Sequence, residues 1–354
     1  MKKSLLRKLF SFLGTLLGVA VLAVAVLLIY LSATEYTPQP RQAAEYVQLE
    51  EGEKADTDLT LYSWNIGYAG LGKDSDFFMD GGEMVDPPSE AAVTENLTAI
   101  GSFMLSNPAD AWLLQEIDRN SARTDHVDEL ETLARAYSGS RAFAYNYKCD
   151  FVPIPLPPIG QVESGVATLT NLQMKETAER VALPCPFSWP SRMANLKRCL
   201  LVNRLPVEGS DKEVVLVNLH LEAYDDGEGK AAQTELLLQV LQEEYEKGNY
   251  VIAGGDFNQT FPGVLDVYPI EDPQQWQPGV LEADALPYGW QYAYDGDTAT
   301  CRLLNKPYDE TCQKYIIDGF LVSPNVQIEN VETVDLNFEH SDHNPVKLDV
   351  TLLP

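Results

Sequence analysis

The residues able to do chemistry lie in six short motifs, each next to an apolar run of the kind that forms a buried strand. Five motifs end such a run, and the sixth immediately precedes the last one. The motifs are WNIG with Asn65, LQE with Glu116, NLHL with His220, GGDFN with Asp256 and Asn258, IDGF with Asp318, and SDHNP with Asp342 and His343. A strand end is where a rigid sheet can hold polar groups in a cleft. One acidic residue at such a place is usually a satisfied core group, but six motifs with two of the chain's four histidines indicate a single site.

The donor atoms in these motifs indicate the metal. Carboxylate and amide oxygens predominate, which suits Mg²⁺, or Mn²⁺ as an alternative, rather than zinc. The oxygen donors are Asn65, Glu116, Asp256, Asn258 and Asp342. A hard cation held by oxygen ligands, with positions left open, binds phosphate and polarises it. The histidines suit proton transfer at neutral pH, because an unperturbed imidazole has a pKa of about 6.5.

The order and approximate spacing of the six motifs resemble the endonuclease/exonuclease/phosphatase superfamily. That family includes pancreatic-type deoxyribonuclease, abasic-site endonucleases, inositol polyphosphate 5-phosphatases and neutral sphingomyelinases. The resemblance covers about residues 59–354, and GDFN and SDH are its most specific pieces. It implies a four-layer α/β/β/α sandwich with the site between the loops at one edge of two packed sheets.

The resemblance also implies a role for each residue. Asn65 and Glu116 match the metal ligands at the ends of the first two strands, and Asp342 matches the other carboxylate on the metal side. His343 matches the residue that acts as general base or contacts the scissile phosphate. Asp318 would orient His343 and fix its tautomer.

The remaining matched residues lie in the NLHL and GGDFN motifs. Asp256 and Asn258 resemble the pair that positions the nucleophilic water and a phosphate oxygen. His220 matches an additional histidine of the deoxyribonuclease and sphingomyelinase branches. The implied chemistry is in-line attack of an activated water on phosphorus, with a histidine stabilising the pentacovalent transition state.

Short apolar runs alternate with amphipathic stretches after residue 59, which predicts a mixed α/β domain. We expect strands at 59–66, 110–117, 141–147, 165–170, 199–206, 213–221, 249–255, 314–322 and 345–352. We expect helices at 89–106, with Ser89 as N-cap, at 126–137 and at 229–246. No repeat and no break in composition follows residue 59, so one catalytic domain over 59–354 is the simplest partition.

The N-terminal segment predicts a membrane anchor. Residues 9–31 carry no charge, and as a helix they would reach about 35 Å, enough to cross a bilayer. Basic residues precede this run and acidic residues follow it, which predicts a cytoplasmic N-terminus and an exported domain. A cleaved signal peptide is the alternative, but its apolar region is usually only about 7–15 residues long. We therefore expect residues 1–34 to be a basic end and an uncleaved, single-pass anchor in the cell membrane.

Two segments outside the motifs have distinctive composition. Residues 35–58 are polar, acidic and interrupted by proline, which predicts a stalk or a linker lying along the surface. The loop 151–159 contains four prolines and cannot be a central strand. Packing of this apolar loop on its own domain is the commoner outcome, and insertion into lipid headgroups or contact with an acyl substrate is the alternative.

The five cysteines are all in the segment expected to be exported, where disulfides persist. Cys185 with Cys199, and Cys301 with Cys312, are the pairs closest in sequence, which would leave Cys149 over. Sequence alone leaves the connectivity open. No C-x-x-C motif or Cys/His cluster favours a structural zinc site.

The net charge of the chain limits the classes of substrate that we expect. The whole chain has a net charge of −28, and 21 basic against 53 acidic side chains follow residue 34, a net −32. Such a surface repels polyanions unless local basic groups or cations reverse the field, so nucleic acid is a disfavoured substrate. We expect a metal-dependent phosphoesterase at the outer face of a membrane, acting on phospholipid headgroups or small phosphorylated molecules. An extracellular nuclease and a catalytically silent surface binding protein are the alternatives.

Overall fold

A computed structural model describes residues 2–48, 52–137, 139–225 and 227–354. Its centre is a pair of seven-stranded sheets, called sheet I and sheet II. Sheet I consists, in spatial order, of β1 (Arg41–Ala43), β7 (Glu179–Ala182), β8 (Cys199–Pro206), β9 (Glu213–His220), β10 (Tyr250–Asp256), β16 (Asp318–Val322) and β13 (Gln291–Ala293). Only the β9–β10 pair in this sheet is parallel.

Sheet II has the same number of strands. In spatial order it consists of β17 (Val326–Thr333), β18 (Val346–Leu352), β3 (Asp58–Asn65), β4 (Ala111–Asp118), β6 (Gly160–Thr170), β5 (Ser140–Val152) and β2 (Glu45–Val47). The β3–β4 pair is parallel and its other pairs are antiparallel. Two small ribbons complete the strands: β11 (Gln259–Thr260) with β12 (Gly279–Val280), and β14 (Cys301–Arg302) with β15 (Lys314–Tyr315).

In the described ranges, four α-helices accompany the sheets: α1 (Lys2–Thr34), α2 (Glu90–Ser106), α3 (Glu129–Ala136) and α4 (Glu228–Tyr245). Ser89 caps α2 by accepting a hydrogen bond from the Ala92 amide at 3.2 Å, as its sequence predicts. The helix predicted at 126–137 begins only at Glu129. Asp128 is its N-cap, and His126 has a φ of 62°, a left-handed conformation that no helix interior accepts.

Three buried apolar layers join these elements. The layer between the sheets includes Leu61, Leu113, Leu216, Ile252 and Phe320. On the outer face of sheet I, α4 packs Leu237 and Leu241 onto β9 and β10, and on the outer face of sheet II α2 and α3 cover Trp112 and its neighbours. Apolar burial of this kind contributes about 25 cal/mol per Å². The order helix, sheet, sheet, helix confirms the predicted four-layer α/β/β/α sandwich.

The strands predicted for the centres of both sheets are all present, but one of them is divided into two strands. The run expected at 314–322 is split into β15 and β16, because the chain passes from a ribbon into sheet I between them. The strands that the sequence does not predict are mostly short or marginal. Among them β17 is an edge strand whose alternation of apolar and polar residues is interrupted by a register shift between Ile328 and Asn330, which hides the period of a strand in the sequence.

The segment 35–58, expected as a linker, contributes to both sheets. Its strand β1 pairs with β7 and its strand β2 pairs with β5, so this stretch extends one edge of each sheet. Residues 49–51 lie outside the described part of the chain. The segment is thus part of the sandwich as well as a connection to α1.

The N-terminal helix is, within the described ranges, the single candidate for a membrane span. The helix Leu5–Thr34 contains an 18-residue window with a mean hydropathy of 2.8, and none of that window is buried in the protein. Length and composition make it able to cross a bilayer, a property that signal sequences share. The proline-rich loop 151–159 joins β5 to β6. Phe151 and Ile159, at its two ends, pack in an apolar cluster, while Ile154 and Leu156 are exposed.

Candidate active site

The ends of three neighbouring strands of sheet I bring His220, Asp256 and Asp318 side by side. Asp256 at the end of β10 is paired in register with His220 at the end of β9 and with Asp318 at the start of β16. All three side chains are buried, with at most 4% of each residue exposed. The sheet register therefore explains why three motifs far apart in sequence meet at one edge.

Sheet II supplies Asn65 and Glu116 from its two parallel strands. Asn65 ends β3, and Glu116 lies where the pairing of β4 with β6 shifts register between Leu114 and Ile117. At this irregularity Glu116 has a φ of 54°. A bulge re-aims a side chain, and a non-glycine residue in the left-handed region is a feature found at functional sites. Its carboxylate, 26% exposed, faces the cavity.

Asn65 connects the two sheets. Its Nδ2 atom donates to Oε1 of Glu116 at 3.2 Å and to Oδ2 of Asp256 at 3.1 Å. Its Oδ1 atom accepts a hydrogen bond from the Gly67 amide at 3.0 Å. The amide thus fixes the relative position of one carboxylate from each sheet.

The SDHNP segment places His343 above these strands. Ser341 donates to the Asn65 carbonyl at 2.9 Å, and Trp64 Nε1 donates to the His343 carbonyl at 2.9 Å. The Nδ1 atom of His343 lies 2.8 Å from Oδ2 of Asp318, and its Nε2 atom lies 3.8 Å from Oδ2 of Asp256. Burial by itself lowers the pKa of His343, but the charge and hydrogen bond of Asp318, together with Cys301 and Asp342, outweigh burial and hold that pKa well above the usual value.

The second histidine has the opposite electrostatic character. Burial, followed by the nearby Arg198 and His343, lowers the pKa of His220 well below its usual value. Its Nε2 atom lies 3.5 Å from Oδ2 of Asp256, and its Nδ1 atom is buried without a hydrogen-bond partner. The pKa values of the two histidines are therefore shifted in opposite directions, which favours a cationic His343 and a neutral His220.

The carboxyl group of Asp256 lies between these histidines. Burial, with repulsion from Asp318, raises the pKa of Asp256 to about 7. Its Oδ1 atom accepts from the Asn258 amide at 2.8 Å, and Asn258 in turn donates from Nδ2 to the Leu221 carbonyl at 2.8 Å. Asp256 can therefore exchange a proton near neutral pH, the property that a general base requires.

Glu116 and Asp342 form the side of the site that suits a cation. Burial and the charge of Glu116 raise the pKa of Asp342 to about 6. A Cβ atom added at Gly67 would lie 2.7 Å from Oδ1 of Asp342, so only glycine leaves room for this carboxylate. Two convergent carboxylates beside the Asn65 amide are the donor set of a hard divalent cation. The residues thus fit the metal that the motifs imply.

A second group of ligand atoms lies close by. Among the described residues, one set of three acidic or histidine ligand atoms, from Asp256, Asp318 and His343, falls within 4.8 Å of one another. It shares no residue with the predicted ligands Asn65, Glu116 and Asp342. This trio is an ion-pair chain, in which His343 is hydrogen-bonded to Asp318 at 2.8 Å and lies 3.8 Å from Asp256.

The site opens into a cavity of about 350 Å³. Predicted site residues form its floor, with the buried Asp318 in contact with His343 and Asn65 in contact with Glu116. The walls come from residues that the motifs do not include: Tyr68, Asp80, Arg123, Asn146, Arg198, Glu222, Tyr224 and Trp276. A cavity of this size, with several convergent polar groups, is the usual form of a small-ligand site.

Six of the eight predicted residues line this cavity directly, and Asn65 and Asp318 support them. The six are Glu116, His220, Asp256, Asn258, Asp342 and His343. The structure therefore brings all eight predicted residues to one place, as a lining set and two supporting residues.

The basic residues of the cavity wall are already engaged. Arg198 is buried, pairs with Glu222 at 3.2 Å and donates to the His220 carbonyl at 3.3 Å. Arg123 forms a two-pronged pair with Asp118 at 2.8 and 2.9 Å. No motif includes Arg198, and its pairing with Glu222 becomes apparent only from the fold. Lys197, its neighbour, pairs with Glu35 at 3.3 Å.

The cysteines take no part in a covalent bond. All five, each within the described residues, are free thiols, so neither of the sequence-local pairs forms. Cys185 is exposed and the other four are buried. Cys301 lies in the cavity wall, where its backbone forms an isolated bridge with His343.

Solved structures similar to this chain share its fold. An endonuclease/exonuclease/phosphatase from Beutenbergia cavernae DSM 12333 is 18% identical with a TM-score of 0.59, covering 84% of this chain and 72% of its own. A second, from Bacteroides vulgatus, is 15% identical with a TM-score of 0.52 and coverages of 84% and 99%. D. rerio TDP2 in complex with a single-strand DNA product is 15% identical with a TM-score of 0.50 and coverages of 84% and 100%.

Sequence comparison gives the family. No curated protein matches the chain. The model of the Endonuclease/Exonuclease/phosphatase family matches residues 62–343, which include all eight predicted site residues and well over half of the chain. The chain therefore belongs to the endonuclease/exonuclease/phosphatase family.

Proposed function

We propose that this protein is a divalent-metal-dependent phosphoesterase, anchored by α1 with its catalytic domain on the outer face of the cell membrane. The observation that carries the catalytic part is the buried chain from Asp318 through His343 to Asp256, with separations of 2.8 and 3.8 Å. Family membership supports hydrolysis of a phosphate ester. The substrates proposed are phospholipid headgroups or small phosphorylated molecules.

The residues divide into a metal side and a proton-transfer side. Glu116, Asp342 and Asn65 would hold Mg²⁺, or Mn²⁺ in its place. When bound, such a cation neutralises phosphate oxygens and stabilises the charge that develops in the transition state.

On the other side, Asp256 and Asn258 position the attacking water, and Asp256 accepts its proton. Asp318 orients His343, whose Nε2–H donates to a phosphoryl oxygen. His220 is neutral, and its Nε2 atom lies 3.5 Å from Asp256. It supplies a second hydrogen bond for the transition state.

The location rests on the N-terminal segment. The basic residues of the first turns, the 30-residue apolar helix Leu5–Thr34 and the acidic domain after it favour an N-in, C-out orientation. The domain boundaries proposed are 1–34 for the basic end and anchor, 35–58 for the connection and 59–354 for the catalytic domain.

A nuclease is the second candidate, because a neighbour in fold, TDP2, was solved with a single-strand DNA product. Electrostatics disfavours it here. Of the described residues that line the cavity, the basic ones are Arg123, Arg198 and Arg302, and each is engaged by a carboxylate or by backbone carbonyls. A phosphate backbone would find no free basic stripe at the mouth.

The test is hydrolysis by the full chain in detergent, with Mg²⁺ or Mn²⁺, of a chromogenic phosphodiester, a chromogenic monoester, a panel of phospholipids and plasmid DNA. We expect metal-dependent turnover that falls at least about 100-fold in His343→Ala. The matched control is His126→Ala, because His126 is an exposed histidine outside the cavity.

Cleavage of DNA in preference to the other substrates would favour the nuclease. Absence of turnover on every substrate would contradict the enzyme proposal and favour a silent binding protein.

A further inference from the structure

The end of α1 is fixed to the catalytic domain. Leu31 is buried in a small apolar cluster with Val152, Val162 and Met193. The Ser32 hydroxyl lies 3.1 Å from the Met193 sulfur. Packing between the helix and two separate segments of the domain sets where the helix meets the sandwich.

Ion pairs hold the next turn of the chain. Glu35 pairs with Arg192 at 3.1 Å and with Lys197 at 3.3 Å. The side chains of Glu35 and Lys197 are only 10% and 13% exposed, so the pair they form is screened less than a surface pair. The chain therefore leaves α1 in a defined direction.

Exposed apolar side chains surround this junction. Ile154 and Leu156, in the loop between β5 and β6, are 73% and 85% exposed, and Trp189 is 54% exposed. Trp189 Nε1 lies 3.5 Å from the Ser32 hydroxyl. The loop's two ends, Val152 and Ile159, belong to the apolar cluster that packs on Leu31. A single exposed leucine is ordinary, but these three come from two segments that both contact the helix end.

We propose that Ile154, Leu156 and Trp189 form a membrane-contact rim that enters the headgroup layer of the phospholipid bilayer holding α1. This inference rests on the proposed function, specifically on α1 as an uncleaved span. A bilayer is the occupant because the rim is continuous with the helix that would cross it. Tryptophan at the end of a spanning helix is typical of the membrane–water interface.

The rim also bears on the substrate. Ile159 follows the exposed part of the loop and Phe187 precedes Trp189 by two residues, and both line the active-site cavity. The cavity wall and the rim are therefore built by the same two segments. A substrate that enters from the rim side would be a phosphoester whose alcohol portion is a membrane lipid. Its acyl part would remain in the bilayer while its phosphorus atom lies next to Asp256 and His343.

Fluorescence tests the rim without requiring activity. The full chain is placed in phosphatidylcholine nanodiscs that contain lipid brominated near the headgroup, which quenches tryptophans at that depth. Of the other four tryptophans, Trp64, Trp112 and Trp290 are buried in the domain, and Trp276 is half-buried in the wall of the active-site cavity. We expect Trp189→Phe to lose most of the quenchable emission, and the pair Ile154→Ser with Leu156→Ser to reduce it. Tyr288→Ser, a fully exposed side chain on a loop outside the rim, is the matched control and should change nothing. Quenching that is the same in Trp189→Phe as in the parent would overturn the rim.

Activity tests the substrate class. The rate on a fluorogenic phospholipid in the same bilayer is divided by the rate on a soluble chromogenic diester. We expect this ratio to fall about tenfold in the Ile154→Ser, Leu156→Ser variant, because each lost side chain removes apolar contact with lipid. An unchanged ratio would overturn the lipid assignment. Rim quenching without metal-dependent turnover on either substrate would instead overturn the proposed enzyme activity and support the rim alone.

Discussion

Nδ1 of His343 lies 2.8 Å from Oδ2 of Asp318, and both side chains are more than nine-tenths buried. The two residues come from different elements, the segment before β18 and the first position of β16. Their contact fixes the imidazole so that Nε2 faces Asp256. Removing the charge of Asp318 should therefore change both the orientation and the protonation of His343.

Asp318→Asn is expected to lower kcat by roughly 10- to 100-fold, the usual effect of losing an orienting partner. The pKa of His343, followed by NMR, should fall as well, because Asp318 is the largest influence that raises it. Asp297→Asn, an exposed carboxylate, is the control. A kcat within about twofold of the parent, with an unchanged pKa, would show that the pair has no role in turnover.

Gly67→Ala should weaken metal binding. A Cβ at this position would lie 2.7 Å from Oδ1 of Asp342, and the residue has a φ of 53°. The φ strain alone costs about 1 kcal/mol or more. Gly209→Ala separates the two effects, since Gly209 has a φ of 69° but nothing within 4 Å of the added Cβ. Metal titration should show a weaker Kd in Gly67→Ala only, and equal Kd values in the two variants would contradict the cation site beside Asp342.

Addition of Mg²⁺ or Mn²⁺ should raise the Tm, and a chelator should reverse the effect. Metal at about 100 times its Kd stabilises the folded state by about 2.7 kcal/mol. Glu116→Gln should lose most of this shift, whereas Asp309→Asn, an exposed carboxylate, should keep it. Differential scanning fluorimetry over a series of metals measures the shift and ranks the metals. An equal shift in all three proteins would place the cation elsewhere.

Glu129→Gln should stabilise the protein increasingly as pH rises. Burial, followed by repulsion from Asp118, raises the pKa of Glu129 well above its usual value. The folded state thus binds a proton that the unfolded state has lost, and its stability falls as pH rises from the unfolded pKa of about 4.3 through the folded one. Glutamine has no proton to lose, so the difference in Tm from the parent should grow between about pH 5 and pH 8.

The matched control for this pH dependence is Glu95→Gln, an exposed carboxylate on α2. Its difference in Tm from the parent should stay nearly constant. A Tm difference for Glu129→Gln that shrinks with rising pH would contradict the burial argument.

Cys185 offers a test of topology. It is the single exposed thiol among the five cysteines, all of which are described. A membrane-impermeant maleimide added to intact cells should label the protein if the domain is outside, and Cys185→Ser should remove the label. Labelling that requires permeabilised cells would contradict the proposed orientation of the domain.

The sequence predicts the eight site residues as a group because each lies at, or within a few residues of, one end of a run that forms a central strand. Neighbouring strands in one register bring such ends together, as with His220, Asp256 and Asp318. Periodicity cannot reveal the register shift that turns Glu116 to the left-handed region, because it depends on how β4 pairs with β6.

The sequence does not predict which residues form the cavity walls, because these residues come together through contacts between distant loops. Tyr224 donates to Asp80 at 2.9 Å across a separation of 144 residues, and neither residue belongs to a motif. The sequence also does not predict the edge strands β1 and β2, since each has only three exposed or half-buried residues, too few to show a period. Contacts between distant loops are set by the whole sandwich, whereas the motifs are set locally.

The strands β1 and β2 add an edge to each sheet within 13 residues of the end of α1. With α1 in the bilayer, as proposed, this pairing would keep the catalytic domain next to the membrane, whereas a flexible stalk would allow it to move away. In the proposed topology the enzyme would therefore serve only the leaflet around its own helix. Its rate would depend on the local density of substrate in that leaflet and would not depend on substrate molecules in a facing membrane.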